Sequence, residues 1–493
     1  MKKLIITLTL SVLMASCQKM DETVYSSIYT ENFYQNASDA EKALFAAYAS
    51  VADLSGVPVM LLVPESSADQ LYPRAVVGRN TLTQFSYDAN YTALKTAGRV
   101  TESPQSIWEF CYKGIESCNW VIEKVPGATM EEVRKGQIIG EARFLRAFYH
   151  WMLTKNFGDI PVKTKPSITE QDAIVGNSPK ADVYQQIYQD LEEAAKAGFP
   201  SFPQVEAGRP SREAVDALYA KAALYNEDWQ VALAKAEAVI QSGAYALMPD
   251  VTKVFTIADE EAARIENIWA FEGDYLAPGR ATSFPSLLGP PGSSAPEYAK
   301  TTFGSVFAYQ AFFDSFDARD NRRKLLDTNY VDKEGKVVAQ KNITPVTPKA
   351  VLVKKYQDPL QNGPSCNIPI LRLADIYLIA AEAAFRLENT SKALQYLNVV
   401  RRRAFGVALD VPSAFDLAVV DEDIILRERS WELYGEGDRW YDLTRTGKFM
   451  SVIPGAVNDV YPSRPVEQKH QYFPIPQDEI NANPLITQNP LWD

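Results

Sequence analysis

The sequence predicts a mainly α protein: a scaffold of stacked helix pairs carrying an irregular, loop-rich lobe with a few short strands. Two observations support the scaffold. Regular helical patterning fills residues about 104–243 and returns over 367–447. Alanines at 217, 220, 222, 223, 232 and 236 recur at spacings that let neighbouring helices approach closely. A third observation marks the lobe. Residues about 244–366 lose the helical period, and Gly289-Pro290-Pro291-Gly292-Ser293-Ser294 cannot be helix.

The chain opens with a separate object. Lys2 and Lys3 precede an apolar run from Leu4 to Met14, which reads as a secretory signal over 1–16. The rest, 17–493, reads as one domain. A first helix is expected over about 38–55, with Ser38 as its cap and Glu41 three residues on. Residues 56–103 lack periodicity and carry Pro58, Pro64, Pro73, Gly78 and Gly98, and so long a loop in a compact domain is usually functional. Helices follow at Ser106–Val125, stopped by Pro126-Gly127, and at Glu131–Asn156, stopped by Gly158 to Pro161. Three more are expected at Asp182–Ala197, Arg212–Asn226 and Trp229–Ser242. The unit from Ser211 to Gly243 is about 33 residues long. A second pair runs from Leu371 to Arg386 and from Ser391 to Ala404. Both pairs are tetratricopeptide-like in length and in their small residues, without the strict consensus. Such pairs cannot bury their faces alone, so they must stack. In the lobe, 266–271 and 350–354 are strand candidates, and the tail from 448 to 493 is irregular.

Charge and cysteine content exclude several functions. The formal net charge is −12, and removing Lys2 and Lys3 makes it −14. An acidic surface repels nucleic acid, whose binding relies on neutralising phosphates. Arg401-Arg402-Arg403 would point in different directions on a helix and is expected to be solvated or ion-paired. Cys111 and Cys118, seven apart on one helix, lie about 10.5 Å apart. That is beyond disulfide reach. With two histidines and no Cys-x-x-Cys, no metal site is expected. His150 sits among aromatics as a core or rim residue. No nucleophile elbow, Walker loop or dinucleotide glycine run is present, so neither a cofactor nor a catalytic residue is expected. Asp314, Asp317 and Asp320 are spaced to share one helix side without a calcium-loop pattern.

Residues Asp421–Gly447 concentrate Trp431, Tyr434, Trp440 and Tyr441 among alternating charges. Paired carboxylates there, Glu428 and Glu432, could be a glycosidase-like pair. They could equally be an ion-pair network pinning two helices across Gly435-Glu436-Gly437. The spacing of Glu428, Glu432 and Glu436 favours the network, because they would line one stripe rather than face each other across a cleft. On that basis Trp431 and Trp440 should be inaccessible and Arg439 paired. An open pocket lined by them would favour catalysis.

Three segments resemble the SusD/RagB family of Bacteroidetes outer-membrane lipoproteins. They are Glu141 to Tyr149 with Phe157-Gly-Asp-Ile-Pro161, then Arg427 to Leu443, then Tyr472-Phe-Pro-Ile-Pro476 with Asn483-Pro484 and Gln488-Asn489-Pro490. Leu13-Met14-Ala15-Ser16-Cys17 resembles a lipobox, implying lipidation at Cys17 and attachment to the membrane through that lipid only. The resemblance implies a cell-surface protein without catalytic activity that captures oligosaccharide, and pairing with a SusC-like TonB-dependent outer-membrane transporter. Asp438 stands where the family often has histidine, expected here to be a variation in a surface network.

Family ligand sites are rebuilt from member to member, so ligand residues must be argued from chemistry. A sugar offers an apolar C–H face and a hydroxyl rim, which calls for exposed aromatics flanked by amide, carboxylate or guanidinium groups. The tryptophans at 108, 120, 151, 229, 431 and 440 lie in predicted helices and Trp269 in an apolar strand, where core packing is expected. The candidates are therefore loop residues: Tyr72, Arg74, Arg79, Asn80, Tyr87 and Tyr91, with Asp274, Tyr275, Arg280, Phe284 and Tyr298 from the lobe. The same architecture could instead bind peptide. A helical-repeat adaptor with a protein-only ligand would leave Tyr72, Tyr91, Tyr275 and Phe284 scattered.

Overall fold

The computed structural model describes residues 33–75, 78–291, 297–343, 349–359, 364–456 and 465–492. The signal segment, Cys17 and Gly292 to Ser294 lie outside these. The helices of the scaffold are α1 (Ala37–Gly56), α2 (Val59–Ser67), α3 (Pro104–Lys124), α4 (Glu132–Phe157), α5 (Lys180–Ala195), α6 (Arg212–Tyr225), α7 (Trp229–Ser242), α8 (Leu373–Arg386), α9 (Thr390–Ala404), α10 (Glu422–Leu433), α11 (Arg439–Arg445) and α12 (Phe449–Gly455). Strands are short: β1 (Leu71–Pro73), β2 (Asn267–Phe271), β3 (Val306–Ala308), β4 (Leu326–Asp327), β5 (Asn329–Val331), β6 (Val337–Ala339), β7 (Leu352–Val353) and β8 (Ile368–Arg372). They form antiparallel two-stranded ribbons, β1 with β3, β2 with β8, β4 with β7 and β5 with β6.

Helices stack in sequence as α1 on α3, α3 on α4, α4 on α5 and α6 on α7. The lobe then intervenes, yet α7 packs directly on α8, and α8 on α9 and α10. The two helix pairs therefore form one stack, with residues 244–366 looped out between them. Close approach is achieved where residues are small. At Gly114 on α3 an added Cβ would sit 2.4 Å from the Tyr149 ring of α4, whose hydroxyl donates to the Ala47 carbonyl of α1 at 2.6 Å.

Several expectations are revised. Helix α1 starts at Ala37, two residues earlier than a Ser38 cap would place it, because the Asn36 side chain caps it by accepting from the Asp39 N–H. The stretch 56–103 is not one loop, since α2 runs through it with Pro64 inside and all nine residues buried. A contiguous apolar run between prolines carries no amphipathic period, so the sequence conceals this helix. Asp314, Asp317 and Asp320 do not share a helix side. A short helix ends at Asp314, Asp317 pairs with Arg319, and Asp320 caps the next 3-10 turn while pairing with Arg322.

The Arg401–Arg403 cluster is fully ion-paired, to Glu428, Asp416 and Glu266 respectively. Cys111 and Cys118 are buried free thiols. His150 is a core residue, and burial with nearby Arg146 depresses its pKa to about 4, leaving the ring neutral. Asp438 does not belong to a surface network. It is buried, 2.9 Å from the Lys221 ammonium and 3.1 Å from the Tyr225 hydroxyl.

Candidate ligand-binding cleft

Helix α10 carries charge on two faces that do different work. Its inner face presents Glu428, Arg429 and Glu432, all buried. Glu432 meets Arg372 at 2.7 Å and Arg322 at 3.3 Å, and also pairs with Arg403. Arg372 continues to Glu266 at 2.6 Å and Glu436 at 2.7 Å. Glu428 is ion-paired with Arg322 at 2.7 Å and accepts from Arg401 at 3.0 Å. Burial alone would raise the Glu432 carboxyl, but Arg403, Arg372 and Arg322 more than offset it and hold it far below the usual carboxylate range. A glycosidase acid needs the opposite shift and access to substrate. Glu432 has neither, and Glu428 is buried away from substrate, so the network account of these residues stands. Glu436 lies beyond the end of α10 and still reaches the same hub, across a turn in which Gly435 and Gly437 both take positive φ. A Cβ at Gly437 would also lie 2.9 Å from the Met60 carbonyl.

The outer face of α10 carries Asp423, Arg427 and Trp431, each four residues from the next and so on one stripe. This stripe forms a wall of an open cleft of about 400 Å³, completed by Asp69, Phe312, Ser315, Arg439, Lys448 and Val452. Trp440 is buried as expected, 1% exposed, but Trp431 is half-buried and faces the cleft. The indole is fixed at one edge, where its Nε1 donates to the Ser315 hydroxyl at 3.0 Å. The Phe316 ring lies 5.8 Å from it. Arg427 is exposed, and its guanidinium sits 5.6 Å from the indole centroid. Among the described residues Arg427 makes no hydrogen bond or ion pair. The cleft's carboxylates are committed: Asp69 takes Arg439 bidentately at 2.7 Å, and Asp423 takes Lys448 at 2.5 Å. Arg439 is thus paired as predicted. An aromatic wall beside an unspent guanidinium and a serine suits recognition of hydroxylated rings, and among the described residues the carboxylates lining the cleft are both held in ion pairs.

The loop residues read from the sequence are placed differently from expectation. Tyr72 is 1% exposed and packs against Tyr309 with centroids 4.6 Å apart and the rings tilted by 30°. Tyr87 and Tyr91 are buried and hold the C-terminal tail, with the Tyr91 hydroxyl donating to the Pro474 carbonyl at 2.7 Å. Phe284 packs edge-on against Tyr356 in the core, and the Tyr298 hydroxyl donates to Asp327. Arg79 is buried against Glu102 at 2.5 Å. These rings and this guanidinium present no face to solvent, because bulky loop side chains here anchor the loops to the core. Arg74, Asn80, Asp274 and Tyr275 are half-buried and Arg280 is exposed. Asp274, Tyr275 and Arg280 share one turn, in which the Asp274 N–H donates to the Arg280 carbonyl at 2.8 Å. Tyr72, Tyr91, Tyr275 and Phe284 line no common cavity among the described residues. Sequence reasoning missed Trp431, and the available signal was the i, i+4 partnership of Arg427 and Trp431 on one polar stripe.

Comparison with known proteins follows the same lines. Residues 250–492 match the SusD family model, and residues 59–224 match a model described as starch-binding associating with outer membrane. SusD-like protein P25 of Formosa agariphila is 26% identical, covering 96% of this chain and 95% of its own. SusD-like protein P2 of the same organism is 27% identical over 99% and 100%. Among solved structures, surface glycan-binding protein A of Bacteroides thetaiotaomicron in complex with laminarihexaose superposes with a TM-score of 0.73 at 23% identity, covering 92% of this chain and all of that one. The shared architecture and the two family matches, which between them span most of the chain, agree with the motifs at 141–161, 427–443 and 472–490, and the chain belongs to the SusD/RagB family.

Proposed function

We propose that this protein is a non-catalytic, cell-surface lipoprotein of the outer membrane that captures oligosaccharide. It hands that ligand to a partner TonB-dependent transporter for import. The observation that carries the binding reading is the Trp431 cleft: a half-exposed indole, held at one edge by Ser315, beside an arginine with no hydrogen-bond or ion-pair partner among the described residues. At about 400 Å³ it falls within the range of about 300–1,000 Å³ typical of small-ligand pockets. Family membership supports the surface and transporter roles, and the lipobox at Leu13–Cys17 supports the anchor. The relatives' names point to glucans, with laminarihexaose in one structure and starch in one family description. Arg74, Asn80, Asp274, Tyr275 and Arg280 remain available as accessory contacts.

Titration of the mature chain with laminarihexaose, maltohexaose and a wider neutral glycan panel tests this. Saturable binding with no shortening of the oligosaccharide is expected. One observation favours a second reading. The scatter of Tyr72, Tyr91, Tyr275 and Phe284 is what a protein-only adaptor would show. That reading gains if the panel gives no binding while the transporter still co-purifies.

A further inference from the structure

A second concavity, sharing no lining residue with the Trp431 cleft, lies between α1, the end of β2 and the turn that follows it. Helix α1 carries Phe45, Tyr48 and Ala52 at spacings of three and four, so the three line one face. Phe45 is 58% exposed, unusual for a large ring seated in a concavity. Facing it are Trp269 and Phe271 of β2, and the space between is about 250 Å³. Trp269 is fixed, its Nε1 donating to the Gly208 carbonyl at 3.0 Å, so this wall is rigid.

The rim is polar and only partly satisfied within the protein. Arg280 uses its Nε on the Glu272 carbonyl at 2.9 Å, and both terminal nitrogens are without a partner among the described residues. Glu272 accepts from Asn367 at one carboxylate oxygen, at 2.6 Å, and its other oxygen makes no hydrogen bond among the described residues. Arg209, which lies 5.5 Å from the Phe45 ring, is already committed to Glu141, Glu206 and Glu41 and offers little.

We infer that the Phe45 groove is a second saccharide site, taking one neutral hexopyranosyl unit against the Phe45 ring with its hydroxyls on Arg280 and Glu272. The inference rests on the glycan-binding reading above and adds a site to it. The size favours a single ring, because the groove falls just below the usual range for small-ligand pockets. A helix or an acyl chain fits poorly, since the rim groups would be desolvated without partners. The rim sets cation against carboxylate, which favours a neutral ring over an acidic one, whose charge Glu272 would oppose. Two sites on one chain would raise avidity for a long glycan without any new contact at either.

The experiment combines solution binding with crystal soaking, using laminarihexaose and maltohexaose as probes and full mature chain throughout. Phe45→Ala, Arg280→Ala, Trp431→Ala and the Phe45→Ala/Trp431→Ala double variant are compared, with thermal melting as the check on folding. The exposed Phe45 and Arg280 are replaceable without loss of melting temperature. Trp431→Ala is expected to retain weak saturable binding, which the double variant loses by fivefold or more, with density over Phe45 in soaked crystals. If Trp431→Ala abolishes all binding, or the double variant binds as Trp431→Ala does, the second site is overturned and the main reading survives. Density over Phe45 with no effect of Phe45→Ala in solution means binding at crystal concentration only, and also overturns it. If wild type binds neither probe, this inference and the glucan form of the main reading fall together.

Discussion

The Arg427 guanidinium lies 5.6 Å from the centre of the Trp431 indole, and it has no carboxylate partner among the described residues. The next residue after each on the same helix, Glu428 and Glu432, is ion-paired with arginines. Helix α10 thus separates a structural face from an open one within a single residue step.

The open face governs ligand binding. Replacing Trp431 by alanine removes an aromatic contact surface worth about 1.4 kcal/mol, so oligosaccharide affinity should fall roughly tenfold. Arg427→Ala should weaken binding by a similar order with an unchanged melting temperature, because the exposed guanidinium supports nothing else. Calorimetric titration beside a melting curve checks both.

The buried face governs stability. Glu432→Gln leaves Arg372, Arg403 and Arg322 sharing one fewer anion in a buried hub, and breaking such a pair costs about 3–5 kcal/mol. Denaturant unfolding should show that loss. The oligosaccharide affinity of the surviving folded fraction should be unchanged, which a ligand-contacting glutamate would not allow.

The turn after α10 is equally constrained. Gly437 combines a φ of +81° with the Met60 carbonyl where a Cβ would go. Gly437→Ala should destabilise the protein by about 1–3 kcal/mol, the usual scale for backbone strain at such a position, measured by the same unfolding curves.

Glu65 gives a pH signature. It is buried with one oxygen accepting from the Gly437 N–H at 2.8 Å, and burial, opposed by that N–H and by Lys355, raises its pKa to about 8. The folded state then binds more protons at this site than the unfolded chain between the ordinary carboxylate value, about 4.3, and about 8. Its contribution to stability therefore declines as pH rises through that window, by at most about 1.4 kcal/mol per pH unit, and levels off above 8. Glu65→Gln should remove that part of the slope. Glu432 acts in the opposite sense. Its depressed carboxyl contributes stability that is present above the unfolded value and lost as pH falls toward the folded one.

The scaffold was legible because its helices are punctuated and periodic. Trp229–Ser242 has the predicted bounds, with Asp228 capping it and Gly243 closing it in the left-handed region. Arg212 to Tyr225, Leu373 to Arg386 and Thr390 to Ala404 depart by a residue or two. Helix α2 was hidden because its first five residues, Val59 to Val63, are all apolar and Pro64 follows, leaving no polar face to set a period. Ligand residues were harder, because exposure is a tertiary property. Tyr72, Tyr91 and Phe284 carry the same composition signal whether they cap a loop into the core or face solvent. Trp431 failed in the other direction, since a helical tryptophan was assigned to packing while its neighbours at i−4 and i−8 were both charged.

The most direct test is titration of the mature wild-type chain and its Trp431→Ala variant with laminarihexaose and maltohexaose, with product length followed in the same samples. The account predicts saturable wild-type binding to at least one of them, no shortening of either, and affinity reduced roughly tenfold in Trp431→Ala. Trp431→Ala binding equal to wild type, or cleavage of the oligosaccharide, would contradict it.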